Sequence, residues 1–383
     1  MRDNRSGAVR SELISCAGGI NPAVSAILEQ LYTANPATPL TSHPQWLALA
    51  AEHGLLGPWL ALVVMCDDRP IGILPLRKHN HWCAELLELF SEDYPQLLLA
   101  PGAEEEAWHG VAAWLRTTSG VAMLSVGSSG DEQRVARFQA ICQAHGLFAF
   151  STPARPTINI PLRGSWEQYL AGLGKRTRAN LRYAESYLLR DYQDVEVDII
   201  TDPASLRAPL DELIRLYRLR WHDQVGGCVF DHPQHVAVYH QAMAWALQHG
   251  YGALGIVRIG GQVIAGADLV FRPGQQELHC HFVARDTAAL PSRYSPGIYL
   301  YTHLIRWALD HGFTMLGMGY GNAYYKRLLG GDDIPQWELA AARSPLAARI
   351  LRQVNPALHI VQRLPVHLRY HLGRVGKKTP VEE

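Results

Sequence analysis

Residues 291–329 (PSRYSPGIYLYTHLIRWALDHGFTMLGMGYGNAYYKRLL) constrain the fold of this chain more than any other segment. They read as loop, helix, short strand, glycine-rich turn and then Tyr325-Lys326. Ser295 is placed to cap a helix, with Pro296 at the first helical position, where its missing N–H costs nothing. Tyr301, Leu304, Ile305 and Ala308 repeat at helical spacing, so one face is buried. Gly312 follows and suits a left-handed C-cap. Residues 313–318 form an apolar run of strand length. Gly317, Gly319 and Gly321 then leave the backbone bare beside Tyr325 and Lys326. Open N–H groups at a helix start, a bare turn and a cation make a candidate anion-binding, acyl-handling site.

The remaining chain alternates strands and helices in two related halves, a mixed α/β (α+β) class. In the first half, strands at 59–65 and 71–76 flank a polar turn and form a hairpin. Further strands are expected at 86–90, 97–100, 121–126 and 157–161, and helices at 22–33, 104–117 and 132–145. Pro153, Pro156 and Pro161 mark a boundary. In the second half, helices are expected over 166–190, 206–225 and 233–249, with a strand at 195–200. A three-strand meander follows at 254–259, 263–271 and 277–283, its first turn at Gly260-Gly261. The hairpins at 59–76 and 254–271 are equivalent parts of a weak repeat with a period of about 190 residues, which argues for tandem domains and against a solenoid. The expected division is an N-terminal segment (1–35), a first domain (36–160), a second domain carrying the active site (161–345) and a basic tail (346–383).

Charge narrows the partners. Thirty-five basic and 35 acidic residues sum to zero, so there is no global attraction for DNA or an anionic membrane. The tail at 363–378 carries several basic residues and reads as a solvated terminus, with weak membrane-surface contact as the alternative. Six scattered cysteines without a CxxC pair fit reduced thiols in a cytoplasm. No secretory leader and no apolar window of spanning length is present, so a cytoplasmic protein without a transmembrane segment is expected.

Asp286, Ser295-Pro296-Gly297, the helix ending at Gly312, Gly319, Gly321 and Tyr325-Lys326 together resemble the C-terminal half of the CelD/BcsL-like and FemAB-like acyltransferases, a branch of the GNAT superfamily. TSHPQW at 41–46, RPIGILPL at 69–76, KRTRANLR at 175–182 and Arg220-Trp221 extend the likeness over roughly residues 35–345. The resemblance implies two tandem GNAT-like domains, each a mixed, mostly antiparallel sheet flanked by helices. It implies transfer of an acyl group, most simply acetyl from acetyl-CoA, to an amine or hydroxyl of a small molecule or a sugar or envelope exopolysaccharide precursor. One departure stands out. Gly317 and Ala323 occupy positions where the family carries acidic residues, so a carboxylate expected there is absent.

Each candidate residue has a chemical reason and a bland alternative. Tyr325 is the candidate acid for a departing thiolate, and Lys326 the anion partner; an aromatic plug and a surface lysine are the alternatives. Ser295 and Gly297, with Gly319 and Gly321, are the candidate co-substrate-binding residues, against an ordinary capped helix. His281 or Asp268 is the candidate base. His279 alternates with His281 on one strand face and joins the acceptor-binding set. Lys175, Arg178 and Arg182 share a helical face, either a phosphate clamp or a solvated surface. Arg220 and Trp221, with Gly226-Gly227, would edge the acceptor groove, and Asp286 follows from the resemblance. The His-x-His pair lacks a third ligand, so no metal is expected. GMGYG is not a dinucleotide fingerprint. Two other functions stay open: a Fem-type transferase using aminoacyl-tRNA, and a non-catalytic binding module on the same fold.

Overall fold

The structure is a computed structural model. It describes residues 8–16, 19–36, 38–78, 83–87, 97–118, 120–221, 228–272, 274–286, 288–291, 294–321 and 323–350. The Gly226-Gly227 edge, the tail at 363–378 and the far part of the strand expected at 86–90 lie outside these residues.

The first lobe runs β1 (Val9–Cys16), α1 (Pro22–Ala34), α2 (Pro44–Glu52), β2 (Trp59–Cys66), β3 (Arg69–Lys78), β4 (Cys83–Leu86), β5 (Leu98–Leu99), α3 (Glu104–Thr117), β6 (Met123–Ser129), α4 (Glu132–Ala144) and β7 (Phe148–Pro153). The second runs β8 (Thr157–Pro161), α5 (Trp166–Gly172), α6 (Lys175–Asp191), β9 (Val195–Ile200), α7 (Arg207–Trp221), α8 (Pro233–Gln248), β10 (Gly252–Ile259), β11 (Gln262–Phe271), β12 (Glu277–His279), β13 (Val283–Arg285), α9 (Pro296–Asp310), β14 (Met315–Tyr320), α10 (Tyr324–Leu328), β15 (Asp332–Ile334) and β16 (Trp337–Ala342).

The two sheets have the same plan. One is ordered β1-β2-β3-β4-β6-β16-β7 with β5 on β3. The other, read from its far edge, is β9-β10-β11-β12-β14-β8-β15 with β13 on β11. Each has one parallel pair, β4 with β6 and β12 with β14, and is otherwise antiparallel. The central hairpins correspond: β2–β3 turns at Asp67 and Asp68, and β10–β11 at Gly260 and Gly261, all four with positive φ as a tight hairpin turn requires. The repeat expected from the sequence is therefore present in the topology.

The chain does not divide cleanly at 160. β8 belongs to the second sheet, and β16 returns to the first sheet to lie between β6 and β7. The N-terminal residues also join the first lobe: β1 pairs with β2 over its whole length. Three layers of apolar packing result. Trp108, Phe138 and Leu124 lie under α3 and α4 on the outer face of the first sheet. Leu28, Trp46, Leu213, Tyr239 and Ile256 form one core in which α1 and α2 meet α7 and α8 between the sheets. Leu181, Leu188, Leu300 and Leu304 of α6 and α9 cover the outer face of the second sheet.

Two elements differ from the sequence-based expectation. The helix expected over 166–190 is broken at Leu173-Gly174 into α5 and α6, and Arg178 caps the end of α5. The strand expected over 277–283 is two short strands. Asp268 Oδ1 accepts the N–H groups of His281 and Phe282, each at 2.8 Å, and these bonds bend the chain between β12 and β13.

Candidate active site

Where β12 and β14 run parallel, Cys280 N still donates to Gly317 O at 2.9 Å. Beyond it the chain turns toward β11 to form β13. A cavity of about 390 Å³ opens at this divergence, between β13, the start of α9 and α10. Arg220, Arg285, Ser295, Gly297, Tyr301 and Tyr325 line it.

α9 begins as Ser295-Pro296 predicts, but the Ser295 hydroxyl makes no capping bond to the helix and lines the cavity instead. No carbonyl within the helix can accept the N–H groups of its first turn, and Gly297 and Ile298 of that turn line the cavity. That turn contains no acidic residue. α3 holds the equivalent place in the first lobe, and its first turn is Glu104-Glu105-Glu106. Three carboxylates there repel an anion, so of these two equivalent helix starts that of α9 is the more receptive to one.

Tyr325 lines the cavity beside Tyr301. Its hydroxyl is hydrogen-bonded to Tyr301 and to Arg220, and its ring stacks on Tyr301 with centroids 5.9 Å apart. Burial raises the phenol above its ordinary value, so it keeps its proton at neutral pH. Arg220 also donates to Val283 O at 2.9 Å, which ties α7 to β13 beside the phenol. Behind Tyr301, the Cys280 thiol lies 3.5 Å from its hydroxyl. Burial pushes that thiol far up, so Cys280 is a packing group and no nucleophile.

A second cavity, about 450 Å³, lies between the lobes on the other face of the second sheet. Asn35, Ser128, Asp131 and Arg134 line it from the first lobe, and Asn159, Glu277, His279 and Gly319 from the second. Arg272 braces one wall: its guanidinium donates to Asn35 O at 2.6 Å and Tyr32 O at 3.1 Å, over the Tyr32 ring. His279 sits above Gly317. A Cβ at residue 317 would be 2.4 Å from His279 Nδ1. Burial, then the neighbouring His281, lowers His279 to about 3, so its imidazole is neutral.

Several expected roles are corrected by these positions. Lys326 is buried, and its ammonium donates to Met318 O at 2.7 Å, Gly319 O at 3.3 Å and Tyr320 O at 2.7 Å. It holds the glycine turn rather than facing the α9 cavity. Asp268 is fully buried and also accepts the Tyr239 hydroxyl at 2.9 Å; it shapes the strand break and lines neither cavity. His281 lies against it, with Nδ1 3.7 Å from Asp268 Oδ2 and a side chain only 4% exposed. Asp286 is spent on the N–H groups of Ala288 and Ala289. Gly319 lines the inter-lobe cavity, and Gly321, at φ +93°, continues the turn. Lys175 is exposed, Arg178 serves α5, and Arg182 lies in a surface depression with Glu167, so this trio does not converge on the α9 cavity. Trp221 packs with Tyr217 and carries Arg220 on its ring.

Arg285 and Tyr301 were not singled out from the sequence. Tyr301 read as core, which it also is, and Arg285 gave no local signal. Among the described residues no group of His, Cys, Asp or Glu could hold a metal ion. No helix of the described residues is long and apolar enough to cross a membrane.

The fold is similar to that of FemX (TM-score 0.56, 13% identity, covering 85% of this chain and 96% of that one). It is also similar to L-PGS from Bacillus licheniformis (TM-score 0.53, 12% identity, 90% and 98%). At these identities the likeness is one of fold. No curated protein sequence matches the chain. Every residue named above in the α9 cavity falls within residues 175–327, and that segment matches the family described as Acetyltransferase (GNAT) domain.

Proposed function

We propose that the chain is an acyltransferase that takes its acyl group from an acyl-CoA thioester, most simply acetyl-CoA. The observation that carries this reading is the α9 cavity, in which a helix start without acids, Arg220 and Arg285 meet the neutral phenol of Tyr325. The phosphates of coenzyme A would lie at the first turn of α9, beside Arg285. The thioester would lie toward Tyr325, which gives its proton to the departing thiolate. The acceptor, an amine or hydroxyl of a small molecule or sugar precursor, would reach the thioester from the inter-lobe cavity. The nucleophile attacks the carbonyl carbon, the C–S bond breaks, and the acceptor loses one proton to solvent or to a cavity group. Enclosure argues against His281 and Asp268 in that last role, and His279, which lines the inter-lobe cavity, is too weak a base to hold the proton at neutral pH, which favours solvent.

A thermal-shift titration with acetyl-CoA, longer acyl-CoAs and free CoA tests the donor. Ligand at 100 times its Kd should stabilise the fold by about 2.7 kcal/mol. A saturable shift supports the reading and ranks acyl chains; no shift with any CoA species removes it and turns the search to aminoacyl-tRNA.

A further inference from the structure

The outward face of α6 serves neither cavity, yet its composition is unusual for a merely solvated helix. Tyr183, Tyr187 and Leu189 are 53%, 39% and 48% exposed. Lys175, Arg176, Arg182 and Arg190 are exposed on the same side. The opposite side of the helix is anchored by Leu181, Ala184 and Leu188 in the core against α9. Of the two acids of the helix, Glu185 faces Arg306 at 3.6 Å, and Asp191 pairs with Arg190 at 2.7 Å while accepting the Tyr294 hydroxyl, so Arg190 is neutralised within the face and Lys175, Arg176 and Arg182 carry its charge. Lys175, Arg176 and Arg182 make no ion pair among the described residues. The face is therefore cationic and partly apolar, on a rigid platform about 25 Å long.

We propose that this face is a docking surface for an anionic lipid bilayer. Charge complementarity requires a polyanionic partner, and the exposed Leu189 and tyrosines fit the boundary between headgroups and acyl chains. A nucleic acid fits less well. Base stacking needs open ring faces, but Tyr183 and Tyr187 stack on each other (centroids 5.6 Å apart, 14° between planes) and Arg190 lies over Tyr187 at 5.0 Å. Tyr187 is thus covered by Tyr183 and Arg190, which leaves at most one ring face, on Tyr183, for a base. The zero net charge of the chain supplies no long-range pull, so the contact depends on this local patch and is weak, reversible and salt-sensitive.

Vesicle sedimentation of the full chain at low salt tests the proposal, using phosphatidylcholine vesicles with and without phosphatidylglycerol. Binding should appear only with phosphatidylglycerol and disappear at high salt. Arg176→Glu with Arg182→Glu should weaken it roughly thirtyfold or more, two surface cations' worth of attraction. Tyr183→Ser with Tyr187→Ser should weaken it while leaving the charge unchanged. Both variants alter exposed side chains, and an unchanged melting curve verifies the fold. The proposal is overturned by absence of binding, by equal binding to neutral vesicles, or by binding that neither variant weakens, which would assign the contact to another part of the chain. Preferential capture of a mixed-sequence RNA over the vesicles would overturn it in favour of a nucleic-acid surface. None of these outcomes depends on whether acyl-CoA is the donor.

Discussion

His279 and Gly317 are partners across the parallel β12–β14 pair, and the imidazole of one fills the space that a side chain on the other would need. The position where an acidic residue was expected is a glycine because a histidine from the next strand occupies that room. Gly317→Ala should therefore destabilise the fold by about 1–3 kcal/mol, the usual cost of overpacking. In a His279→Ala background the same change should be close to neutral. Urea denaturation of the four proteins in the cycle checks this, and additive effects would refute the steric pairing.

Tyr325→Phe keeps the ring on Tyr301 and removes only the hydroxyl. Acyl-CoA binding should stay within a few-fold, while turnover with an accepted nucleophile falls about 10²–10⁴-fold. Because burial raises the phenol, wild-type turnover should not decline through loss of this proton below its ordinary pKa of 10. A variant that lost binding and turnover together would make Tyr325 a wall of the cavity and no acid.

Lys326 separates structure from chemistry in another way. Its ammonium gathers three backbone carbonyls of the turn after β14. Lys326→Met should cost about 2–4 kcal/mol of stability, from the carbonyls it leaves behind. A variant as stable as the wild type in chemical denaturation would show that the turn holds itself.

The local elements were legible because their signals are local. α3 spans the expected residues, both two-residue hairpin turns fall where Asp67-Asp68 and Gly260-Gly261 stand, and α9 starts at Pro296. What could not be read depends on distant residues. The apolar run at 337–342 carries no mark that sends it back between β6 and β7. The strand break after His279 is made by Asp268 on another strand, and Lys326 reads as a surface cation until the turn folds around it. The inter-lobe cavity takes Asn35, Asp131, Asn159 and Glu277 from four separate segments, and no spacing rule joins them.

His43 ties stability to pH. Its Nδ1 accepts the Gln45 N–H at 3.1 Å as the N-cap of α2, and its ring packs between Tyr32 and Trp245. Burial, then Arg272 and His249, lowers it to about 4. Between that value and its ordinary 6.5 the unfolded chain binds more protons than the folded one. Stability is thus greatest above 6.5 and is lost as pH falls toward 4, with a slope of at most about 1.4 kcal/mol per pH unit from this group. His43→Asn keeps a capping oxygen and should flatten that part of the curve, whatever its effect on absolute stability. An unchanged slope between pH 6.5 and 4 would remove His43 as its source.

The contrast between α9 and α3 yields a change that separates binding from folding. Gly297 has negative φ, and a Cβ there would meet nothing closer than Arg285 Cδ at 3.8 Å, so a side chain can be accommodated. Gly297→Glu would place in the first turn of α9 the kind of charge that the first turn of α3 already carries. For the helix itself the change is favourable, since a carboxylate near the N-terminus is worth about 0.3–1 kcal/mol and glycine is the poorer helix former. For an anionic co-substrate it is unfavourable, because the same carboxylate occupies the N–H groups and repels phosphate. The variant should melt at or above the wild-type temperature yet show no shift with acetyl-CoA at concentrations that saturate the wild type. Gly297→Gln, of the same size without the charge, should retain part of the shift. If Gly297→Glu binds acetyl-CoA as the wild type does, the phosphates do not lie at the start of α9, and the cavity must hold its ligand in another orientation.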